Sequence, residues 1–342
     1  MAETESPQHD EPALLGIDFG TSRSVAASNN GRREWVESYV GWPRDFVARK
    51  ALGKGVLFGT DALNHRLSLD LYRPLEHGVI QEGTAKIQEA VTQLMGHLID
   101  LVIDRGQDSV RAVLGVPSEA MKVNRMALKK AVSGRVQSMM IVSDPFAVAY
   151  GQGLFDNALV IDIGAGTTDL CIMHGTVPGE EDQTTLLTAG DHIDQQLAKL
   201  LAERHPHATF NLNMIRHFKE NHAVVGPSRD RVKVEMPVEG KATSHDITDE
   251  MRAACESIMP PMVEAAADLI ARFDPEYQAQ IRQNIVLAGG GSQIRGIAKY
   301  LEEALGEYGP CNVTCVDDPL FAGADGALAL AKDMPEDYWE SL

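Results

Sequence analysis

Apolar positions in this chain gather into short runs at 14–19, 112–116, 139–142, 158–163, 184–189 and 284–288, each bounded by glycine, proline or polar residues. Runs of that length and boundary predict buried strands. Between them the period changes. From Thr84 to Ile103, the residues Ile87, Val91, Leu94, Leu98 and Leu101 recur at three- and four-residue steps, which predicts a helix with one core-facing stripe. A second helical pattern runs from Asp249 to Phe273, where Pro260-Pro261 predicts a kink or a division in two. Strands alternating with helices predict an α/β fold.

Two stretches interrupt the alternation. Residues 33–72 carry turn-rich pieces between strand-like runs, and residues 191–249 combine a helical pattern with a polar, hairpin-like stretch. Each follows a copy of one motif: an apolar run, an aspartate, an apolar residue, a glycine, then threonine or serine. The copies are LLGIDFGTS and ALVIDIGAGTT, with Asp18 and Asp162 lying 144 positions apart. A motif, a large unit and an accessory unit, repeated, predict an internal duplication with a cleft between its halves.

A buried strand that ends on a carboxylate and an open loop is poorly explained by packing. Glycines after each aspartate let backbone N–H groups approach a phosphate, and Thr21, Ser22, Thr167 and Thr168 add donors. Two such loops can grip one polyphosphate from both sides. Asp18 and Asp162 then hold Mg²⁺ through water, since this small hard ion seeks oxygen ligands and keeps its shell. A third element, NIVLAGGGSQIRGIAKYL, runs a strand into Gly289, Gly290 and Gly291. The dinucleotide-binding fingerprint fails there, because bulky Ile294 stands where the third small residue belongs. A bare glycine platform suits a flat nucleoside.

Composition narrows the partners. A chain of 342 residues is long enough for two lobes with separate cores. Its formal net charge of −18 disfavours nucleic acid and anionic membrane surfaces. Cys171, Cys255, Cys311 and Cys315 are too few for a disulfide scaffold and lack zinc-site spacing, so reduced thiols are expected. The polar, acidic residues 1–12 lack a signal-peptide pattern and read as a disordered tail. No apolar run is long enough to span a bilayer, which points to a soluble, cytoplasmic protein without direct membrane insertion. His205 and His207 lack a third ligand for a metal.

Taken together, Asp18-x-Gly20-Thr21, Asp162-x-Gly164-x-Gly166-Thr167-Thr168-Asp169, Ser143-Asp144-Pro145, Ala189-Gly190-Asp191, Phe218-Lys219-Glu220 and Ala288-Gly289-Gly290-Gly291-Ser292 resemble, in order, the nucleotide-binding motifs of the actin, DnaK and sugar-kinase superfamily. The resemblance spans nearly the whole chain. Within the superfamily it is to bacterial actins, in particular those that organise magnetosome chains. It implies an actin-like ATPase fold of two duplicated RNase H-like lobes around a nucleotide cleft, each with a small accessory subdomain. The implied division is 13–32, 73–155 and 333–342 for the first core, 33–72 for its accessory unit, 156–190 and 250–332 for the second core, and 191–249 for its accessory unit. Gly20, Thr21 and Ser22 match the first phosphate loop, and Gly164, Ala165, Gly166 and Thr167 the second. Gly289 to Ser292 match the adenosine loop. Lys219 and Glu220 match the helix closing over adenine and ribose, while Gly190 and Asp194 border the ribose and phosphates.

One departure matters. The superfamily usually carries Glu before the proline, to orient the water that attacks the γ-phosphate, and here the residue is Asp144, one methylene shorter. Because phosphoryl transfer rests on positioning, hydrolysis is then slow or uses a second water. Asp144 ahead of Pro145 could equally cap its helix. The resemblance implies Mg-dependent hydrolysis of ATP to ADP, with Asp144 placing the water, Asp18 and Asp162 fixing the metal, and ATP favouring a homopolymeric filament beside the magnetosome chain. Filament surfaces are expected on 33–72, with Trp42, and on 191–249, and attachment to an organelle through an adaptor protein. A sugar- or acetate-type kinase of the same superfamily is the alternative; a DnaK-type chaperone would need a substrate domain after Leu342.

Overall fold

The aspartate-bearing strands Ala13–Phe19 and Asp156–Ile163 lie inside their sheets, and their composition explains why. Leu15, Ile17 and Phe19 in the first, and Leu159, Val160, Ile161 and Ile163 in the second, are wholly or almost wholly buried. Near-continuous apolar runs of this kind suit strands covered on both faces. The structure is a computed structural model and describes residues 12–81, 84–104, 106–107 and 109–342; most of the expected tail, residues 1–11, lies outside the described residues.

The two halves repeat one topology. In the first sheet Arg33–Glu37, Arg23–Ser28 and Ala13–Phe19 form an antiparallel meander, after which Val110–Val116 and Ser138–Ser143 add in parallel. The second sheet follows the same plan with Gln183–Leu186, Thr168–His174, Asp156–Ile163, Ile285–Ala288 and Val313–Cys315. Register is preserved as well. Asp18 lies opposite Val25 and beside Gly115, and Asp162 lies opposite Asp169 and beside Ala288.

Helices cover both faces. Ala85–Val102 closely follows the predicted span and buries Val91, Leu94, Leu98, Ile99 and Val102 in the first core. The Asp249–Phe273 pattern resolves into Thr248–Glu256 and Met259–Arg272. The break falls before the prolines, because the first turn of a helix needs no intrahelical N–H and accepts Pro260 and Pro261. In the 184–189 run the strand ends at Leu186, and the next helix, Gly190–Arg204, begins soon after.

Two seams differ from the division read in the sequence. Arg33–Glu37 pairs with Arg23–Ser28 and so extends the first sheet, leaving the accessory sheet to Val40–Pro43, Leu57–Phe58 and Leu69–Tyr72. The helix Ala322–Asp333 packs on Ala13–Phe19 and on the helix Asp144–Gly151, hence on the first lobe rather than the second. Small residues make this possible. A Cβ on Gly326 would run into the Ala147 carbonyl, and one on Gly16 into the Ala324 carbonyl. Asp144–Gly151 in turn touches Asp156–Ile163 and Thr168–His174, so Val113, Val148, Val160, Cys171 and Ala327 share one core spanning both lobes.

Candidate nucleotide site

Both aspartates occupy the penultimate position of their strands, where the chain must turn to re-enter the sheet. At Gly20 a Cβ would come within 2.5 Å of the Arg23 carbonyl, so the turn admits no side chain there. Across the cleft, a Cβ on Gly166 would lie 2.5 Å from Thr21 Oγ1 and 2.9 Å from His77 Cα; the two loops nearly touch. Gly289 adopts a left-handed φ of 70°, and a Cβ there would strike Asp162 Oδ1. The three glycine loops thus converge.

They enclose a cavity of about 380 Å³ between the lobes. The lining includes Asp18, Asp144 and Asp162, both hairpin loops from Gly20 to Ser22 and Gly164 to Thr167, then Gly190, Lys219, Glu220 and the platform Gly289 to Gly291. Three expected residues stand behind it: Thr168, Asp194 and Ser292. Thr168 is buried and its hydroxyl donates to the Thr188 carbonyl at 2.9 Å, so it is no phosphate donor. Asp194 holds Lys219 Nζ at 2.9 Å while the same ammonium donates to the Gly190 carbonyl at 2.8 Å, so the three brace the wall together. Ser292 turns its hydroxyl onto the Gly289 carbonyl at 2.8 Å and shapes the platform from below.

Asp144 does not cap its helix. The N-cap is Ser143, which makes no side-chain capping bond, and Asp144 is the first helical residue. Ser143 Oγ and Asp144 Oδ1 are both buried without a hydrogen-bond partner. A carboxylate left bare in a cavity wall is costly unless a ligand completes it.

Electrostatics sharpen that point. Burial pushes the Asp18 carboxyl up to about 7. Burial, then the charges of Asp18, Asp162 and Asp169, raise Asp144 well above the usual carboxylate range, and Asp162 is raised by burial and by Asp18 and Asp169. Asp169 rises to about 6 through burial, opposed by hydrogen bonds from Thr185, Thr167 and Ser118. Four dehydrated carboxyls facing one space keep their protons more tightly than free aspartates unless a cation joins them. Their donors are all oxygen, as magnesium prefers. Among the described residues no three His, Cys, Asp or Glu side chains group closely enough to hold a metal by themselves.

Sequence reasoning placed Asp169 in a motif without giving it a task, though the 144-residue offset puts it at the position of Val25. Arg23, Arg216, Pro319 and Leu320 also reach the cavity, and no local pattern announced them. Trp42 packs locally, edge-on to Tyr72 at 5.6 Å and beneath Lys86 at 4.3 Å.

Known proteins resemble this chain along most or all of its length. The model of the MreB/Mbl protein family matches residues 47–337. The chain belongs to this family of actin-like proteins, as a member of the MamK type. It is 41% identical to the actin-like protein MamK of Paramagnetospirillum magneticum, over all of this chain and 98% of that protein. It is 40% identical to MamK of Magnetospirillum gryphiswaldense, over all of this chain and 95% of that one. Among solved structures, a MamK double helical filament superposes with a TM-score of 0.93 at 40% identity, covering 95% of this chain and 100% of that chain. A non-polymerising MamK mutant bound to AMPPNP gives 0.73 at the same identity, covering 94% and 99%. The metabolite-kinase alternative is not favoured by these relatives. Among the described residues no helix of this actin-like chain is long and apolar enough to cross a membrane.

Proposed function

We propose that the chain binds Mg-ATP between its lobes, hydrolyses it to ADP and phosphate, and uses the nucleotide to control its own assembly into cytoplasmic filaments that align magnetosomes through an adaptor protein. The observation that carries this reading is the convergence of Asp18, Asp144 and Asp162 with three glycine loops on one inter-lobe cavity. AMPPNP in a related structure supports the nucleotide, and the filament form of another supports the polymer. The higher TM-score to the filament subunit, at equal identity, favours a lobe arrangement suited to assembly.

Glycines at Gly20, Gly164 and Gly166 let the hairpin loops come close to the phosphates, and the platform of Gly289 to Gly291 lines the cavity for the nucleoside. When bound, Mg²⁺ supplies positive charge to offset the phosphates and to keep the neighbouring carboxylates ionised. Asp18 and Asp162 would hold it through water. Asp144 accepts a hydrogen bond from the attacking water and aligns it with the γ-phosphate, since positioning dominates phosphoryl transfer. The short Asp144 side chain makes hydrolysis slow. Closure over the nucleotide is held by residues of both lobes: Arg23 pairs with Glu220 at 3.0 Å, and Arg216 donates to the Tyr39 hydroxyl at 3.1 Å. Loss of the γ-phosphate removes a ligand that both hairpin loops grip, which loosens closure and with it the fit to the next subunit.

Replacing Asp144 with Ala tests this reading. Phosphate release should fall by about 100-fold or more while sedimentation with Mg-ATP persists and disassembly is delayed. Wild-type release by the variant would remove Asp144 from hydrolysis.

A further inference from the structure

Asp144 Oδ1 lies over a strand position that has no side chain. Gly115 is the penultimate residue of Val110–Val116, paired in register with Asp18 on one side and Val142 on the other. A Cβ built on Gly115 would sit 2.5 Å from Asp144 Oδ1 and 3.6 Å from the Ile17 carbonyl. The carboxylate oxygen therefore fills the volume that any other residue at 115 would claim. Nothing else among the described residues holds that oxygen, which is buried without a hydrogen-bond partner.

We propose that Gly115 is a positioning residue for hydrolysis: its missing side chain seats the short Asp144 carboxylate at the γ-phosphate end of the cavity. This rests on the role of Asp144 proposed above. Alanine is the smallest change, yet a Cβ at 2.5 Å from an oxygen is far inside ordinary van der Waals contact, so Asp144 has to give way. Its freedom to do so is small. Asp has only two side-chain torsions, of which χ2 turns the carboxylate without moving it away; its Cα is fixed at the start of the helix Asp144–Gly151, and the charges of Asp18, Asp162 and Asp169 disfavour the neighbouring space. A displacement of about 1 Å costs on the order of 100-fold in such reactions. Glutamate has one more torsion and can carry its carboxylate past a methyl group at 115. Gly115 and Asp144 thus form a matched pair.

The test compares G115A, D144A, G115A/D144A and G115A/D144E in the full chain with Mg-ATP. Phosphate release, affinity for a fluorescent ATP analogue and melting temperature are measured for each. The expected result for G115A is release reduced by about 10- to 100-fold with analogue affinity kept, no further loss when G115A is added to D144A, and recovery in G115A/D144E. Two residues acting as one unit are non-additive. Wild-type release by G115A, or a full additional loss on the D144A background, overturns the proposal and leaves the role of Asp144 standing. Wild-type release by D144A overturns both. If G115A does not fold, folding and turnover by G115A/D144E still support the pairing, whereas unfolding of both shows that Gly115 serves packing alone.

Discussion

Arg73 of the first lobe spans the cleft to Asp191 of the second, with Nη1 2.8 Å from Oδ2 and Nη2 donating to Oδ1 at 3.2 Å. Its Nε donates to the Thr21 carbonyl at 2.9 Å, tying the same guanidinium to a phosphate loop. Fork-on-fork pairs are among the stronger ionic contacts, and this one is mostly shielded. R73A should therefore speed release of a fluorescent ATP analogue by about 10-fold, the equivalent of about 1.4 kcal/mol, and D191A should add little on top. Stopped-flow displacement reads both. Independent, additive effects would show that the pair does not act as a clasp.

The four carboxylates make stability depend on pH in a definite direction. Unfolded aspartates titrate near 4, whereas Asp18 and Asp169 in the folded chain rise to about 7 and about 6, with Asp144 and Asp162 also raised. A raised folded value favours the protonated form, so their contribution is complete below about pH 4 and is lost as pH climbs through 7. The nucleotide-free protein should melt higher at pH 6 than at pH 8. D18N removes one of these titrations and should flatten that fall, by about 1.4 kcal/mol for every tenfold difference in proton affinity between the folded and unfolded carboxyl, while weakening Mg-ATP binding. Scanning calorimetry from pH 5.5 to 8 without nucleotide gives the slope, and a steeper fall in D18N would contradict the assignment.

Chelation should separate the metal from the fold. With EDTA, ATP affinity should drop by at least about 10-fold, because dehydrated carboxylates then face the phosphates unscreened, while far-ultraviolet circular dichroism stays unchanged. Equal affinity with and without Mg²⁺, measured by isothermal titration, would argue for another counter-charge.

At the helix crossing a substitution that usually stabilises should do the reverse. Glycine to alanine inside a helix gains about 1 kcal/mol, but a methyl group on Gly326 meets the Ala147 carbonyl. Overpacking costs about 1–3 kcal/mol or more, so G326A should lower the urea midpoint. A raised midpoint would mean the two helices can separate freely.

Phe46 and Leu67, on the accessory unit of the first lobe, are 82% and 84% exposed, and Arg44 connects their segments by donating to the Leu67 carbonyl at 3.4 Å. Large apolar side chains so placed suit a subunit contact. F46S and L67S should each raise the critical concentration for pelleting with Mg-ATP by about 10-fold without lowering the melting temperature. Unaltered assembly would move the contact elsewhere.

The sequence by itself determined the parts whose logic is local. A run of apolar residues ending in aspartate, glycine and a hydroxyl fixes a strand, a turn and a carboxylate at its end, because burial and turn geometry act within a dozen residues. Asp18, Asp162 and the glycine loops were legible for that reason, and so was the helix Ala85–Val102 from its stripe. Tertiary structure decided which elements meet. It set the helix Ala322–Asp333 on the first lobe, joined Arg33–Glu37 to the first sheet and withdrew Thr168, Asp194 and Ser292 from the lining. It also left Asp144 Oδ1 bare instead of capping a helix, and brought Asp169 and Arg73 to the cleft. Periodicity records how deeply a residue is buried along its own element. The neighbour across that burial comes from chain segments far away in sequence, selected by where small residues let backbones touch and where charges can find partners.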